Sequence, residues 1–367
     1  MKRELLEIQV ARVIALIAVL SVHFTSIGVT NSPTDSVMFY VYSILNSFGR
    51  VGVPVFFFLS GLVLYYSYFE KEISFKTIMS FYWKRIQFIV IPYISICLFY
   101  FISTWIIYYN YTLSEAVNLF IDGVVFGGTH MHLYYLYVLI QFYFIFPLLL
   151  IFFKKMSNNF FTVSLGAIVI HILWFKLNAD YSLVSNRSFF FLSYFSFFVI
   201  GGLVGIHYNK VFNRYKALTW KSVPYVIAFG LTLFLMIYYD LLTRSAFSLD
   251  EISFELLTLY SLPHSFDLIW MLLGLSGSFF FILVSKSYLS LGFDRINRLL
   301  LSIAKMSFGI YLLHPFFLMF FISALSTGSP LVFHGWQLLT AIIVTTLSII
   351  STVLIGKLKF GWVLIGK

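Results

Sequence analysis

The amino-acid sequence predicts an all-α fold, a polytopic helical bundle in a membrane, on three observations. Of the 367 residues, 60% are hydrophobic and only 10% are charged, which is more apolar surface than a water-soluble core can bury. Repeated apolar runs of about 17–25 residues match the length that an α-helix needs to cross a bilayer. The alternating polar and apolar pattern of a membrane β-barrel is missing.

Ten runs have this length, and we interpret each as a transmembrane helix. Their predicted ranges are 8–29, 48–69, 86–108, 134–153, 160–176, 189–207, 222–241, 265–284, 300–322 and 334–356. With ten crossings, both termini lie on the same side of the membrane. No linker and no change in composition divides the chain, so we treat residues 1–367 as one transmembrane domain.

The distribution of charge predicts the orientation of the bundle. The side that carries both termini holds 19 of the 24 Lys and Arg residues, and basic loops favour the cytoplasm. The sequence therefore predicts cytoplasmic termini. The basic residues on this side account for the net charge of +10. At a membrane surface they favour contact with anionic lipids and not with nucleic acid. The longer outward loops are then 30–47, 109–133 and 242–264.

The first run contains two ionisable residues, Arg12 and His23, among apolar neighbours. Eleven residues make about three helical turns, so both side chains lie on one face, roughly 16 Å apart along the axis. An ionisable group at this depth costs at least about 2.5–3.5 kcal/mol, which predicts a face that borders protein or water. Arg12 suits a phosphate, and His23 can take a proton from a hydroxyl. Simple pairing with neighbouring helices is the alternative.

Two further basic residues, Lys84 and Arg85, directly precede the third run, which contains Pro92. Anchoring at the membrane surface is the ordinary role of such a pair. Because Arg12 is expected at a similar depth, these three basic residues form a candidate pocket for a polyphosphate on the cytoplasmic side. The second run adds small residues beside Ser60, which favour close approach of helices.

The eighth and ninth runs carry candidate polar partners. Asp267 follows His264 by three residues on one helical face, where it either orients an imidazole such as His23 or is solvated at the interface. In the ninth run, Tyr311 and His314 belong with Ser307 to one polar stripe, which Pro315 interrupts. The stripe either contacts substrate or joins helices.

A metal site is not predicted. The single cysteine, Cys97, excludes a multi-thiolate site and an internal disulfide. His130 and His132 are two residues apart, a spacing that does not share a helix face, and no acidic or thiolate residue stands nearby. We expect His132 to contact substrate instead.

Together these motifs resemble the acyltransferase 3 family of integral-membrane acyltransferases. The matching segments, in the family's order, are Arg12 with His23, FFFLSG at 56–61, Lys84 and Arg85 with Pro92, and the S-x-x-x-YL-x-HP segment at 307–315. Each motif is weak alone, but four in sequence are specific. The EIQVARVIA opening is similar to the exopolysaccharide-cluster branch, which includes membrane proteins associated with poly-N-acetylglucosamine.

The resemblance implies an O-acyltransferase that uses cytoplasmic acyl-CoA, with acetyl or succinyl as the acyl group, and acylates a hydroxyl of an envelope glycan or its lipid-linked precursor. It implies His23 as the catalytic imidazole, with Arg12 and Arg85 on the CoA side. We expect Tyr311, Ser60 or a backbone N–H to stabilise the oxyanion. Direct transfer and a transiently acylated His23 both stay open. The residues expected in catalysis are His23, Asp267 and Tyr311. Those expected to bind substrate or CoA are Arg12, Lys84, Arg85, Ser60, His132 and His314.

Two other functions stay open. A polysaccharide exporter of the poly-N-acetylglucosamine type would perform no acyl transfer, but transporters usually show repeated halves and a continuous polar path. A structural or signalling protein would leave Arg12 and His23 without a purpose. We expect a glycan and membrane lipids as partners and a location in the bacterial cytoplasmic membrane. A homo-oligomer or a complex with a polysaccharide synthase stays open.

Overall fold

The computed structural model describes residues 5–108, 112–212, 219–244, 264–322 and 329–366. These residues form helices joined by turns, and they contain no strand. In chain order the α-helices are α1 (Leu6–Asn31), α2 (Val37–Gly49), α3 (Gly52–Tyr68), α4 (Phe75–Arg85), α5 (Ile91–Tyr108), α6 (Leu113–Val125), α7 (Tyr134–Met156), α8 (Phe160–Tyr181), α9 (Phe195–Ile206), α10 (Tyr208–Phe212), α11 (Val223–Thr243), α12 (Ser265–Leu289), α13 (Asp294–Ile322), α14 (Pro330–Lys357) and α15 (Trp362–Ile365).

Nine helical segments of the described chain are long and apolar enough to cross a membrane. They are Leu6–Asn31, Val37–Tyr68, Phe75–Trp105, Tyr134–Met156, Phe160–Tyr181, Trp220–Thr243, Ser265–Leu289, Asp294–Phe321 and Pro330–Lys357. A shorter apolar helix, Phe191–Ile206, coincides with the sixth predicted span. The prediction of an all-α polytopic bundle is confirmed, and a helical segment covers each predicted span.

Two segments predicted as outward loops contain helices, so that part of the prediction was wrong. α2 lies largely within 30–47, and α6 lies within 109–133. α6 begins at a reciprocal capping box between Thr112 and Glu115, which satisfies backbone N–H groups at the helix start. Neither helix is long enough by itself to produce an apolar run of transmembrane length. Residues 245–263 of the third predicted loop lie outside the described chain.

α3 and α9 cross with their backbones in contact at three glycines. A Cβ on Gly61 would collide with the carbonyl of Phe198, and a Cβ on Gly201 would collide with the carbonyl of Phe58. Gly205 meets the backbone of α3 in the same way. The close approach predicted for the small residues of the second run is confirmed at Gly61. This crossing holds α3 in position within the bundle.

α1 passes through the interior of the bundle and packs against α3, α12 and α13. Its Ala11, Ala15 and Ala18 side chains are fully buried, and their small size lets the neighbouring helices come close. The helix with the predicted polar stripe, α13, therefore runs beside the helix that carries Arg12 and His23.

Replacing Gly201 by leucine is expected to destabilise the bundle, because the new side chain needs space that the backbone of α3 occupies. Overpacking of this kind costs about 1–3 kcal/mol or more. Gly230→Leu is the matched control, since a Cβ at Gly230 in α11 meets no atom within 4 Å. The unfolding temperatures of the detergent-purified variants measure the difference. An equal decrease for both would contradict the close crossing of α3 and α9.

Candidate active site

A cavity of about 290 Å³ lies between α1, α3, α7 and α13, and we call it the arginine cavity. Its lining includes two guanidinium groups, two small hydroxyl side chains and three tyrosines among apolar residues. The full lining is Arg12, Phe56, Ser60, Arg85, Phe88, Ile89, Tyr135, Leu139, Tyr143, Ser307, Phe308, Tyr311, Ile365 and Gly366. No carboxylate belongs to this lining, so the cavity carries positive charge.

The two arginines of the cavity are held by different neighbours. The Nη1 of Arg12 donates to the Gln9 side-chain oxygen at 3.4 Å. The guanidinium of Arg85 lies 4.9 Å from the ring centre of Tyr143 and 5.2 Å from that of Phe81. Its Nε is buried without a hydrogen-bond partner. Two guanidinium groups with an unpaired donor suit a phosphate-bearing ligand.

A π-helical turn, Ile86–Val90, follows Arg85 directly and brings Phe88 and Ile89 to the arginine cavity. Such turns are frequent at functional sites. Pro92 lies two residues after this turn and has no N–H, so it cannot form the regular helical hydrogen bond with the Phe88 carbonyl. The backbone of Gly366 packs beside that carbonyl, where a Cβ would lie 2.7 Å from the oxygen. The C-terminal turn thereby forms one wall of the cavity.

Four histidines from distant parts of the chain gather beyond the arginine cavity, and we call them the histidine cluster. The ring centres of His23 and His314 are 5.0 Å apart, and those of His132 and His314 are 6.1 Å apart. His130 and His132 share a hydrogen bond between their Nδ1 atoms at 2.7 Å. The described chain nevertheless contains no group of three or more His, Cys, Asp or Glu residues arranged to hold a metal ion.

Tyr311 lies between the arginine cavity and the histidine cluster. Its side chain lines the cavity, and its hydroxyl donates to the backbone carbonyl of His132. Its ring centre is 5.7 Å from that of His132 and 6.0 Å from that of His314. His23 does not line the cavity, so the Tyr311 side chain forms the contact between the two regions.

The backbone hydrogen bonds of α13 are interrupted beside His314, where a tyrosine from α5 bonds two backbone groups instead. Pro315 supplies no N–H to the helix. The next N–H, of Phe316, donates to the Tyr100 hydroxyl at 3.0 Å, and this hydroxyl donates to the Leu312 carbonyl at 2.7 Å. Tyr100 thus stands between two groups that would otherwise pair directly in α13. The contact fixes the turn that presents His314.

Burial lowers the pKa of the two histidines that lie between α6 and α7. The pKa of His130 falls to about 4 and that of His132 falls well below its ordinary value, mainly because desolvation penalises the charged ring. Repulsion from neighbouring histidines, including His23, acts in the same direction. Both rings are therefore neutral at pH 7, each with one N–H and one lone pair.

The structure brings most of the predicted site residues into these two regions. Arg12, Ser60, Arg85 and Tyr311 line the arginine cavity. His23, His132 and His314 belong to the histidine cluster. Lys84 is exposed and does not line the cavity, because it points from a different face of α4 than Arg85 does. The predicted pocket of three basic residues therefore contains two.

Asp267 does not lie beside His23, which corrects the expectation that it orients this imidazole. Both carboxylate oxygens of Asp267 accept hydrogen bonds from Arg187 at 2.7 Å. His264 lies 3.6 Å from the same carboxylate, as its spacing of three residues predicted. A bidentate guanidinium is the stronger partner for a buried carboxylate, so Arg187 determines where Asp267 points.

Several site residues were missed by the sequence analysis. Tyr135 and Tyr143 are two of many aromatic residues in the fourth run, and nothing in the local pattern separates them from lipid anchors. Tyr100 belongs to the site because it contacts α13, and His130 because it bonds His132; neither contact is visible in the sequence. Gly366 offered one signal, since glycine after a short apolar segment favours a left-handed residue, and its φ is +68°.

Comparison with known families gives one result. A family model described as an acyltransferase domain, that of the acyltransferase 3 family, matches residues 5–356. The match covers the histidine cluster and all of the arginine cavity except Ile365 and Gly366. No curated protein and no solved structure matches the chain.

Replacing Arg187 by methionine is expected to destabilise the protein, because the buried Asp267 carboxylate loses two charge-assisted hydrogen bonds. Hydrogen bonds to charged groups are worth about 1.5–3 kcal/mol each, and the partial exposure of Arg187 reduces the loss. Arg187→Met combined with Asp267→Leu should recover stability, since no unpaired charge stays buried. Unfolding temperatures measure both, with Arg298→Met at an exposed position as control. A double variant no more stable than the single one would contradict this assignment.

Proposed function

The chain belongs to the acyltransferase 3 family and is a membrane acyltransferase, and from this premise we propose that it acylates a cell-surface polysaccharide. The donor is cytoplasmic acyl-CoA, with acetyl favoured over succinyl. The acceptor is a hydroxyl of the extracytoplasmic polysaccharide or of its lipid-linked precursor. The observation that carries the proposal is the arginine cavity, which meets the histidine cluster at Tyr311.

The arginine cavity suits the CoA part of the donor. CoA carries several phosphates, and Arg12 and Arg85 both reach the cavity without a carboxylate in its lining. Arg12 lies in the second turn of α1, on the side that the basic loops predict to be cytoplasmic. The apolar and aromatic remainder of the lining suits the uncharged pantetheine chain.

The histidine cluster supplies the proton transfer. The acceptor oxygen attacks the thioester carbonyl carbon while His23 takes the hydroxyl proton. The C–S bond then breaks, and the proton passes from His23 to the sulfur of the departing CoA. Every atom and charge is accounted for without a metal ion.

In the proposed reaction, Tyr311, Ser60 or a backbone N–H stabilises the oxyanion by a hydrogen bond. Tyr311 lies where cavity and cluster meet, but its hydroxyl already donates to the His132 carbonyl. The Ser60 hydroxyl lies 3.2 Å from that of Tyr135. Either side chain must exchange its present hydrogen bond for one to the oxyanion.

The acceptor class rests on the predicted orientation. His23 lies eleven residues beyond Arg12 on α1, and His130 and His132 lie in a segment assigned to the outer side. An acceptor that reaches the histidine cluster from outside would be an envelope glycan. The proposed location is the bacterial cytoplasmic membrane, with lipids as surrounding partners and a homo-oligomer or a synthase complex as open arrangements.

His23→Ala is expected to bind acyl-CoA normally but to lose transfer by about 100-fold or more, the usual contribution of general acid–base catalysis. Purified protein in proteoliposomes is supplied with radiolabelled acetyl-CoA on one side and N-acetylglucosamine oligosaccharide on the other. His207→Ala is the control, since this ring bonds the Ser157 carbonyl, away from both regions. Undiminished transfer by His23→Ala would end the assignment. Passage of oligosaccharide without release of CoA would support the exporter instead.

Arg12→Ala and Arg85→Ala are each expected to weaken acetyl-CoA binding by about 10-fold or more, because each removes a charged hydrogen-bond donor to phosphate. Lys84→Ala should have a smaller effect than Arg85→Ala, since Lys84 does not line the cavity. Lys155→Ala controls for the loss of one positive charge at an exposed position. Equilibrium binding to the detergent-solubilised protein measures the four affinities. Equal affinities in all variants would exclude the arginine cavity as the donor site.

A further inference from the structure

We propose that His314 is the positioning residue for His23, and that its Nε2 accepts a hydrogen bond from the His23 ring during acyl transfer. This inference rests on the proposed function, and it assigns to His314 the role that the sequence suggested for Asp267.

The protonation of the His314 ring follows from its backbone contact. Its Nδ1 lies 3.2 Å from the carbonyl oxygen of Ile310, one turn earlier in α13. A carbonyl oxygen only accepts hydrogen bonds, so Nδ1 carries the hydrogen of the neutral ring. Nε2 is then left with a lone pair. The position of this acceptor is fixed by the fold.

The Nε2 acceptor of His314 is buried and unused. The side chain is 0% exposed, and Nε2 has no hydrogen-bond partner. A buried acceptor without a donor is unfavourable, and a donor that reached it in another state of the protein would remove this cost. The contact of Nδ1 with the Ile310 carbonyl holds the ring, and Tyr100, which bonds Phe316 and Leu312, holds the backbone on both sides of Pro315.

Among the histidines of the cluster, His23 has the ring centre nearest to that of His314, and we infer that it is the donor. Its ring centre is 5.0 Å from that of His314, with the planes inclined at 63°. Within the same cluster, His130 and His132 have ring centres 4.8 Å apart and form a nitrogen–nitrogen hydrogen bond of 2.7 Å. A separation of this size therefore allows such a bond. A small rotation of the His23 ring would bring one of its N–H groups to Nε2 of His314.

This contact would orient His23 for the reaction. When one nitrogen of His23 donates to His314, its other nitrogen has the lone pair that takes the acceptor's hydroxyl proton. The resulting imidazolium of His23 keeps its hydrogen bond to Nε2, and the proton then leaves with the CoA sulfur. The other groups around His314 are His132 and Tyr311, so a neutral histidine serves here where other enzymes use a carboxylate.

Three variants of His314 distinguish the roles of its two ring nitrogens. Gln extends an amide to the level of Nε2 and retains an acceptor there, Asn reaches only the level of Nδ1, and Phe offers neither. We expect His314→Asn and His314→Phe to lower kcat by about 100-fold or more with little change in the KM for acetyl-CoA. His314→Gln should stay within about 10-fold of the wild type. His171→Asn is the control, a buried histidine of α8 whose Nε2 is also unpaired.

The test uses full-length protein in proteoliposomes with acetyl-CoA and N-acetylglucosamine oligosaccharide. Combining His23→Ala with His314→Asn should lower kcat no further than His23→Ala alone, because both variants remove one function. If His23→Ala abolishes transfer while His314→Asn and His314→Phe keep wild-type kcat, this inference is wrong and the proposed function stands. If His23→Ala transfers normally, the proposed function itself fails. Should the Asn and Phe variants not fold, His314→Gln and His314→Met decide, since Met has a similar length but no strong acceptor. A kcat that Gln keeps and that Met lowers by about 100-fold supports positioning, and equal values for the two overturn it.

Discussion

The packing of α13 along α1 is the contact on which the rest of the site depends. An arginine and a histidine inside a transmembrane helix are unfavourable unless protein or water surrounds them. α13 meets this requirement with a polar stripe: Tyr311 lines the arginine cavity with Arg12, and His314 lies against His23. The buried alanines of α1 are small and let neighbouring helices pack closely against it. The arginine cavity and the histidine cluster therefore both depend on this one pair of helices.

The two acidic residues that are buried in the described chain, Asp240 and Asp267, are both paired with arginines. Asp267 is held by Arg187, and Asp240 accepts from Arg50 at 2.7 Å and lies 3.2 Å from Arg244. Both carboxylates are buried, so removing one cationic partner would leave a charge in a low-dielectric interior. Because these acids are paired with arginines, the proton transfer that we propose for the cluster would depend on how the imidazoles are oriented by one another and by backbone carbonyls.

A proline makes the helix backbone irregular at both ends of the site. Pro92 follows the π-helical turn that brings Phe88 and Ile89 to the arginine cavity, and Pro315 follows His314. Pro92 leaves the Phe88 carbonyl without its helical N–H, and Gly366 packs beside this carbonyl. Next to Pro315, the Tyr100 hydroxyl lies between the Phe316 N–H and the Leu312 carbonyl. The irregular backbone is tolerated because it is buried in protein and not exposed to lipid.

The sequence by itself determined the fold class, the apolar spans and the family, because hydrophobic length and the order of short motifs are local properties of the chain. It also indicated that Arg12 and His23 share a face of α1. Only the tertiary structure decided that Asp267 pairs with Arg187, that Lys84 stays outside the arginine cavity, and that His130, His132 and His314 gather around His23. Those outcomes depend on helix rotation and on which of several partners wins a buried polar group. The competition involves residues that are far apart in the sequence, 80 positions for Arg187 and Asp267, and no local pattern records it.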